Sequence, residues 1–303
     1  MVVQENEPMS AHTSFKVGGP ARYFLKAECI DNLKNALFLA REKGLPYFIL
    51  GNGTNLLVSD RGYEGVVISL AGEFSEIVDL GNGKFKVGAG TPLGRFARHT
   101  LKQGYAGIHK LAGIPGTLGG AVYMNAGAYG QEIGSCCTQV TALDSEGNIR
   151  ELNAEDCGFG YRQSKFKDCD EIILAATFQL QESASSGKTV ADLETELAEC
   201  MAKRKATQPL NMPNAGSTFK RLEVGATAMP TQVAPGYYIE QAGLKGYRIG
   251  GAQVSILHAN FIVNVGSATA QDIKSLIEYV QSKVAEKFGI KLQREIILLG
   301  KFE

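Results

Sequence analysis

The chain has 303 residues, in which 31 lysines and arginines balance 31 aspartates and glutamates. A net charge of zero leaves no global field that would favour nucleic acid or an anionic membrane surface, so an anionic ligand has to be met by local groups. No apolar run approaches the roughly 20 residues of a membrane helix, and the N-terminal MVVQENEPMS lacks the basic start and apolar core of a signal peptide, so a cytoplasmic protein is expected.

The helical and strand signals alternate irregularly along the chain. The stretch from Asp31 to Lys43 places Leu33, Leu37 and Ala40 on one face, with Gly44 as a stop. YFIL (47–50), LLVS (56–59) and GVVISL (65–70) read as strands, and GNG (81–83) turns a hairpin between EIVDL and KFKVG. In TPLGRFARHTLKQG, Thr91 suits the N-cap and Pro92 the first helical position; Leu93, Phe96, Ala97 and Leu101 form the buried stripe before Gly104. A second hairpin turns at SEGN (145–148), and EIILAATFQL (171–180) is a strand. The polar QESASSGKT (181–189) is the expected linker, separating a first domain over 12–182 from a second over 190–303. Beyond it come a helix over 190–205, a strand at 259–265, a helix capped by Thr269 and stopped at Gly289, and a strand at 294–299. In that last helix Ile273, Leu276, Ile277, Val280, Val284 and Phe288 are the buried stripe. Strands outnumber helices and often follow one another directly, which argues for an α+β architecture over a doubly wound sheet.

Two glycine-rich stretches stand out. LGNGTNLLVSD (50–60) begins like a dinucleotide fingerprint, but Leu56 stands at the third glycine position and the chain runs on into a strand. It retains the elements of an anion-binding nest, with Thr54 and Asn55 as extra donors. GIPGTLGGAVYMNAGAYG (113–130) holds six glycines and no charged side chain. Such a stretch lets main chain approach a flat, partly apolar ring system, with Tyr123, Met124 and Tyr129 as contact area and Asn125 as a fixed polar group. Compact turns with no ligand are the alternative reading.

The six cysteines, Cys29, Cys136, Cys137, Cys157, Cys169 and Cys200, include no CxxC, and His12, His99, His109 and His258 show no pairing at helix or finger spacing. Reduced thiols and no metal site are expected.

HTSFKVGGPARYF (12–24), LGNGTNLLVSD (50–60), GIPGTLGGAVYMNAGAYG (113–130), FGYRQSKF (159–166), NAGSTFK (214–220), AGLKGYRIGGAQVS (242–255), HANFIVN (258–264) and LQREIILLG (292–300) occur in order. In that order they resemble the UDP-N-acetylenolpyruvoylglucosamine reductase (MurB) family. The resemblance runs from about residue 10 to the end of the chain. It implies a vanillyl-alcohol-oxidase (PCMH) type FAD-binding domain followed by a smaller α+β substrate-binding domain. It also implies the reduction of an enolpyruvyl ether of UDP-N-acetylglucosamine at the expense of NADPH, for peptidoglycan synthesis. By resemblance, non-covalent FAD is held by Leu50, Gly51, Asn52, Gly53, Thr54, Asn55 and Leu56. The second loop contributes Gly113, Ile114, Pro115, Gly116, Thr117, Gly120, Gly127 and Ala128, and Arg204 adds a further contact. The catalytic arginine of the YRxS motif maps to Arg162, the serine of GSxFK to Ser217, and the glutamate of LQREI to Glu295. Tyr129 and Lys220 map to substrate contacts, Lys220 toward the UDP phosphates.

The residue types suit that chemistry. Electron density accumulating at the substrate carboxylate requires a cation or an acid. Arg162 offers a permanently charged planar fork, Glu295 contributes if protonated, and Ser217 gives its proton to the carbanionic carbon. No histidine lies in either glycine stretch, which argues against a histidyl-linked flavin. NADPH has no fingerprint of its own, in keeping with two substrates that take turns in one cleft. The chain departs from the family in RLEVGATAMPTQVAPGYYIEQAGLKG, which is longer than the usual turn and contains Pro230 and Pro235. Too few residues lie between YRQS and Glu171 for the tyrosine-bearing loop of one branch, so the chain resembles the second, loop-lacking type. Two other readings remain open at this stage: an FAD-linked oxidase of small alcohols or sugars, and a nucleotide-sugar binding protein without turnover. The expected partners are small molecules, with no nucleic acid, membrane or obligatory protein partner.

Overall fold

The computed structural model describes residues 2–222 and 234–303, so Pro230 lies outside the described residues. Contacts divide the chain into two compact units. The first comprises Met1–Gln4, Phe24–Asn52 and Gly65–Arg204, the second Glu5–Tyr23, Gly53–Glu64 and Lys205–Glu303. This division differs from linear extents of 12–182 and 190–303: residues 12–23 and 53–64 lie in the second unit, and 190–204 in the first.

The first unit is built on a five-stranded antiparallel sheet in the order Ile149–Asn153, Cys137–Leu143, Ile172–Gln179, Lys84–Gly88, Ile77–Asp79. Both expected hairpins form. The second owes its turn to Asp144, whose carboxylate accepts the backbone N–H of Asn148 at 2.8 Å and of Glu146 at 3.0 Å and the Arg150 Nε at 2.7 Å. Such local bonding is what makes aspartate a turn former. Tyr47–Leu50 pairs in parallel with the strand Tyr63–Leu70, Tyr47 opposite Val66 and Leu50 opposite Ser69. Helix α1 (Ile30–Glu42) buries Leu33, Ala36 and Ala40 and ends before Gly44 at φ +60°. Helices α2 (Leu93–Lys102) and α3 (Leu118–Tyr123) supply Leu93, Phe96, Ala97, Leu118, Ala121 and Val122 to a core shared with Phe85, Val87, Ala176 and Phe178. Phe96 packs against Phe178 at 5.1 Å between ring centroids and against Phe85 at 6.2 Å.

Three expectations need correction. The N-cap of α2 is Pro92, without a side-chain bond; the Thr91 hydroxyl reaches the Glu76 carbonyl, and its own carbonyl accepts the N–H of Leu118 at 2.8 Å. Thr91 is needed to hold the second glycine stretch, so it does not cap. Segment 181–189 is not a linker. Gln181 and Glu182 pair with Ala106 and Tyr105, and Ser183–Ser186 form a 3-10 turn with Ser183 buried, before helix α4 (Val190–Thr207). Its serines close the turn themselves, Ser186 Oγ donating to the Ser183 carbonyl at 2.8 Å. Finally, the strand expected at 259–265 shortens to Ile262–Asn264, because Ser255, Phe261 and His258 bond among themselves in a turn.

The second unit holds a three-stranded antiparallel sheet, Arg248–Ile249, Ala252–Val254 and Ile262–Asn264, and a parallel pair, Leu56–Val58 with Ile297–Leu299. Helix α5 (Pro235–Gln241) starts at Pro235, where a missing N–H costs nothing. Helix α6 (Ala270–Phe288) buries Ile273, Leu276, Ile277, Val280 and Val284 against Phe15, Leu57, Phe219 and Ile239, with Phe288 partly buried at its end. Its first turn is fully served. Thr269 and Asp272 form a capping box, and the Asp60 carboxylate accepts the N–H of Ala270 at 2.8 Å and of Gln271 at 2.9 Å. All four N–H groups that a helix start leaves without intrahelical acceptors, those of Thr269 to Asp272, are thereby satisfied, three of them by a carboxylate. Asp60→Ala is therefore expected to destabilise the second unit by about 2 kcal/mol. Denaturant titration followed by far-UV circular dichroism measures this, and Asp60→Asn should fall between the two.

Candidate functional site

In the first unit the two glycine stretches touch. The strand Tyr47–Leu50 delivers Gly51 and Asn52, and the Asn52 side-chain amide donates to the Pro115 carbonyl at 2.7 Å. A Cβ at Gly51 would stand 2.6 Å from Thr117 Oγ1, so no larger residue fits there without moving Thr117. The second stretch is strung along residues 89–93. Leu93 N–H donates to the Gly116 carbonyl at 3.0 Å, Leu118 N–H to Thr91 at 2.8 Å, and Gly119 N–H to Ala89 at 2.8 Å.

Within 113–130, where sequence reading expects open loop, the short helix α3 forms. Thr117 is its N-cap, accepting the Gly120 N–H at 3.4 Å, and Leu118, Ala121 and Val122 bury the i, i+3, i+4 face. That pattern was in the sequence, masked by the two glycines inside it. Gly120 faces the other way and is exposed; a Cβ there would meet only Thr117 Oγ1, at 3.6 Å. Among the described residues, the Cβ direction of Gly120 therefore meets nothing but Thr117 within 4 Å.

Asn125 does not offer its side chain to a ligand. It is buried at φ +40°, its oxygen accepts the Gly134 N–H at 2.8 Å, and its amide donates to Glu132 at 3.2 Å and to the Gly160 carbonyl at 2.8 Å. Through Gly160 it holds the turn that carries Arg162. Gly160 and Gln163 exchange two backbone bonds at 3.1 Å, which puts Arg162 at the tip with φ +54°. The guanidinium lies over the Tyr161 ring at 5.2 Å and donates through Nη2 to the Gly127 carbonyl at 3.0 Å. Lys167 Nζ donates to the Arg162 carbonyl at 2.6 Å, and buried Ser164 donates to the Tyr123 carbonyl at 2.7 Å. Tyr129 is also left-handed, at φ +53°. A non-glycine residue in this region costs on the order of 1 kcal/mol, and its persistence requires that surrounding bonds over-determine it. Three such residues, Asn125, Tyr129 and Arg162, lie on these two connected segments.

Helix α4 borders the same stretch. Arg204 Nη1 donates to the Gly113 carbonyl, and burial lowers its pKa. Tyr129 OH donates to the Cys200 carbonyl at 3.1 Å. One turn further toward its start, Glu196 meets His109 Nε2 at 3.2 Å, Lys110 Nζ at 2.9 Å and the Lys188 ammonium. Lys188 first, then Lys110 and His109, hold its carboxyl down to about 2.

The remaining candidates belong to the second unit. Gly53 sits at φ +59°, where a Cβ would stand 2.1 Å from the His12 carbonyl oxygen. Leu56 is buried in the parallel strand pair opposite Ile297, and Thr54 is half-buried. Ser217 follows Gly216 at φ +75°; its hydroxyl has no hydrogen bond among the described residues, and the segment after it, Thr218 to Lys220, is held on two sides. On one, Asn260 of HANFIVN accepts the Phe219 N–H at 3.1 Å, donates to the Phe219 carbonyl at 2.9 Å, and takes the Thr218 N–H on its own carbonyl at 2.8 Å. On the other, Glu295 N–H donates to the Thr218 carbonyl at 2.8 Å, and Lys220 N–H to the Gln293 carbonyl at 2.9 Å. Asn55 holds the Glu295 segment from its other side, donating to the Glu295 carbonyl at 3.2 Å and accepting the Ile297 N–H at 3.0 Å. Ser217 and Glu295 thus lie on neighbouring hydrogen-bonded segments of one unit, and Arg162 with Gly51, Asn52, Gly113, Gly120 and Gly127 in the other. Sequence reading missed the holding roles of Asn125, Ser164, Lys167, Glu196 and Asn260. For Ser164 the YRxS spacing was a signal, and for Asn260 its place in HANFIVN.

Among the described residues no group of three or more histidines, cysteines or carboxylates could hold a metal. All six cysteines are free thiols; burial pushes Cys136 and Cys137 up to about 12 and Cys157 to about 11, which keeps them protonated.

Residues 208–299 match the family "UDP-N-acetylenolpyruvoylglucosamine reductase, C-terminal domain", and residues 21–153 match "FAD binding domain". The UDP-N-acetylenolpyruvoylglucosamine reductase of Caldanaerobacter subterraneus subsp. tengcongensis is 43% identical over 299 residues, spanning 97% of this chain and 93% of that protein. The reductase of Clostridioides difficile is 41% identical over 298 residues, spanning 98% and 93%. The crystal structure of the reductase from Thermus caldophilus superposes with a TM-score of 0.81 at 35% identity, covering 99% of this chain and all of that one, 100%.

The charge state of His109 gives a pH test. Its ring is buried, its Nδ1 has no partner among the described residues, and desolvation lowers its pKa below the ordinary 6.5 despite Glu196. The unfolded chain then takes up a proton that the folded chain refuses, so folded-state stability falls as pH drops through about 6.5. His109→Gln is expected to flatten the fall in the thermal midpoint between about pH 7 and pH 5. The flattening is partial, because half-buried His258 is shifted in the same direction.

Proposed function

Because the chain belongs to the UDP-N-acetylenolpyruvoylglucosamine reductase family, we propose which of its residues bind the ligands and carry the reaction. The protein is an FAD-dependent oxidoreductase that reduces the enolpyruvyl ether of UDP-N-acetylglucosamine to UDP-N-acetylmuramate, with NADPH as co-substrate, in peptidoglycan synthesis. It acts on small molecules. Both substrates are charged nucleotides, and a cytoplasmic location is part of the proposal.

The observation that carries the site assignment is the junction of the two glycine stretches. The fit to FAD rests on main chain that lacks side-chain cover at Gly120, on Asn52 and Thr117 fixing its edge, and on a guanidinium anchored at Gly127. Leu50, Gly51 and Asn52 with Gly113, Ile114, Pro115, Gly116, Thr117 and Gly120 would cradle the flavin and its phosphates through backbone groups. Gly127, Ala128 and Arg204 would close it on the other side. Gly53, Thr54, Asn55 and Leu56 complete the assigned cofactor contacts, Asn55 with an amide that also donates to the Glu295 carbonyl. Residues 12–182 are assigned as the FAD-binding domain and 190–303 as the substrate-binding domain.

When bound and reduced, FAD supplies the hydride that reaches the enolpyruvyl methylene carbon. Arg162 holds the substrate carboxylate, on which electron density accumulates, with its planar fork. Its left-handed backbone and the Gly127 bond preset that fork, so little reorganisation is needed as charge develops; removing such a donor costs about 3 kcal/mol of barrier. Glu295 is assigned as the second group at the carboxylate. Ser217 delivers the proton to the adjacent carbon, and its hydroxyl is not tied up by a protein acceptor among the described residues. Lys220 is assigned to the UDP phosphates and Tyr129 to the substrate.

Ser217→Ala separates the half-reactions. NADPH should bleach the flavin of the variant at the parent rate, whereas reoxidation by the enolpyruvyl substrate in stopped-flow absorbance should fall at least about a hundredfold. Reoxidation at the parent rate would remove Ser217 from its role.

A further inference from the structure

Helix α4 is 18 residues long, yet Leu193 is its one fully buried side chain. Most helices in folded proteins are held by an apolar face. This one meets the flavin stretch through polar contacts spaced by a turn along one side: Glu196, Cys200 and Arg204, at i, i+4 and i+8. Glu196 holds the His109 ring and the Lys110 and Lys188 ammoniums, the Cys200 carbonyl takes the Tyr129 hydroxyl, and Arg204 reaches the Gly113 carbonyl. His109 and Gly113 are the two ends of a single 3-10 turn, His109–Gly113. Glu196 and Arg204 therefore grip the two ends of the same five residues, about 12 Å apart along the helix.

We propose that Glu196 is a positioning residue for the flavin: by anchoring His109 and Lys110 it sets where α4 lies, and so where Arg204 meets Gly113. This rests on the reading that Gly113 and Arg204 contact FAD. An aliphatic residue in place of Glu196 would leave Lys110 and Lys188 without their acceptor, and the ring of His109 without its one bond. Apart from Leu193, the partly buried Leu197 and Met201 beside Gly113 are the apolar contacts of the helix, so its polar grip carries much of what keeps Arg204 in place. Low pH is not needed for the effect, because the carboxyl stays ionised well below neutrality.

The test is the rate at which holoenzyme releases FAD on dilution, followed by flavin fluorescence, far below the unfolding temperature. Glu196→Ala should release FAD about tenfold faster than the parent, the size expected for losing one member of a charged hydrogen-bond network. Glu196→Gln, which keeps an acceptor for His109, should recover part of the loss. Arg204→Ala should also release faster, and adding Glu196→Ala to it should change the rate by less than about threefold, since both act through one contact. If Glu196→Ala matches the parent while Arg204→Ala is fast, the positioning role is wrong. Full multiplication of the two effects also overturns it. If Arg204→Ala itself matches the parent, the assignment of Gly113 and Arg204 as FAD contacts fails instead. A lowered thermal midpoint with an unchanged release rate marks Glu196 as merely structural and contradicts the proposal. Should Glu196→Ala not fold, Lys110→Met and Lys188→Met each remove one partner; faster release supports the proposal and parent-like release in both refutes it.

Discussion

Everything assigned to flavin binding depends on the closeness of Gly51 to Thr117. Two stretches more than 60 residues apart meet there with no room for a Cβ, and the Asn52 amide locks the meeting onto the Pro115 carbonyl. Thr117 is also the cap of α3, so the same threonine that excludes a side chain at 51 starts the helix that turns Gly120 outward. Displacing it would disturb the edge and the floor of the site at once.

Around this junction the protein relies on polar bonds where an ordinary core would use apolar packing. Asn125 is buried yet makes three hydrogen bonds, and through Gly160 it reaches the turn that presents Arg162. Asn260 does comparable work for the segment after Ser217 in the second unit, and Asn55 for the backbone of Glu295. Buried amides of this kind specify one backbone geometry because any other leaves them unsatisfied. Left-handed Arg162 is tolerated on that account.

Much of this was legible before any coordinates. The amphipathic stripes of α1, α2 and α6, the glycine stops at 44, 104 and 289 and both hairpins follow from periodicity and turn chemistry. The motif order is what assigns Arg162, Ser217 and Glu295 to the reaction, as a proposal. What failed did so for identifiable reasons. Residues 181–189 have the composition of a linker, but their serines satisfy one another in a turn. Thr91 looks like a cap, but its carbonyl and hydroxyl bond elsewhere. Helix α3 was hidden by glycines that serve close approach. The interleaving of the two units arises from long-range contacts such as Asp60 with Ala270, for which one sequence carries no local signal. The polar grip of Glu196 on His109, 87 residues away, belongs to the same class.

Gly120 offers the most direct test of the central claim, that bare main chain beside the Gly51–Thr117 contact receives the flavin. Its Cβ direction is open and its helix would tolerate a larger residue, so Gly120→Leu should fold with an unchanged or higher thermal midpoint. The account predicts that this variant purifies folded but colourless and fails to take up added FAD. A folded Gly120→Leu protein carrying a full complement of FAD, with the flavin absorbance of the parent, would contradict it.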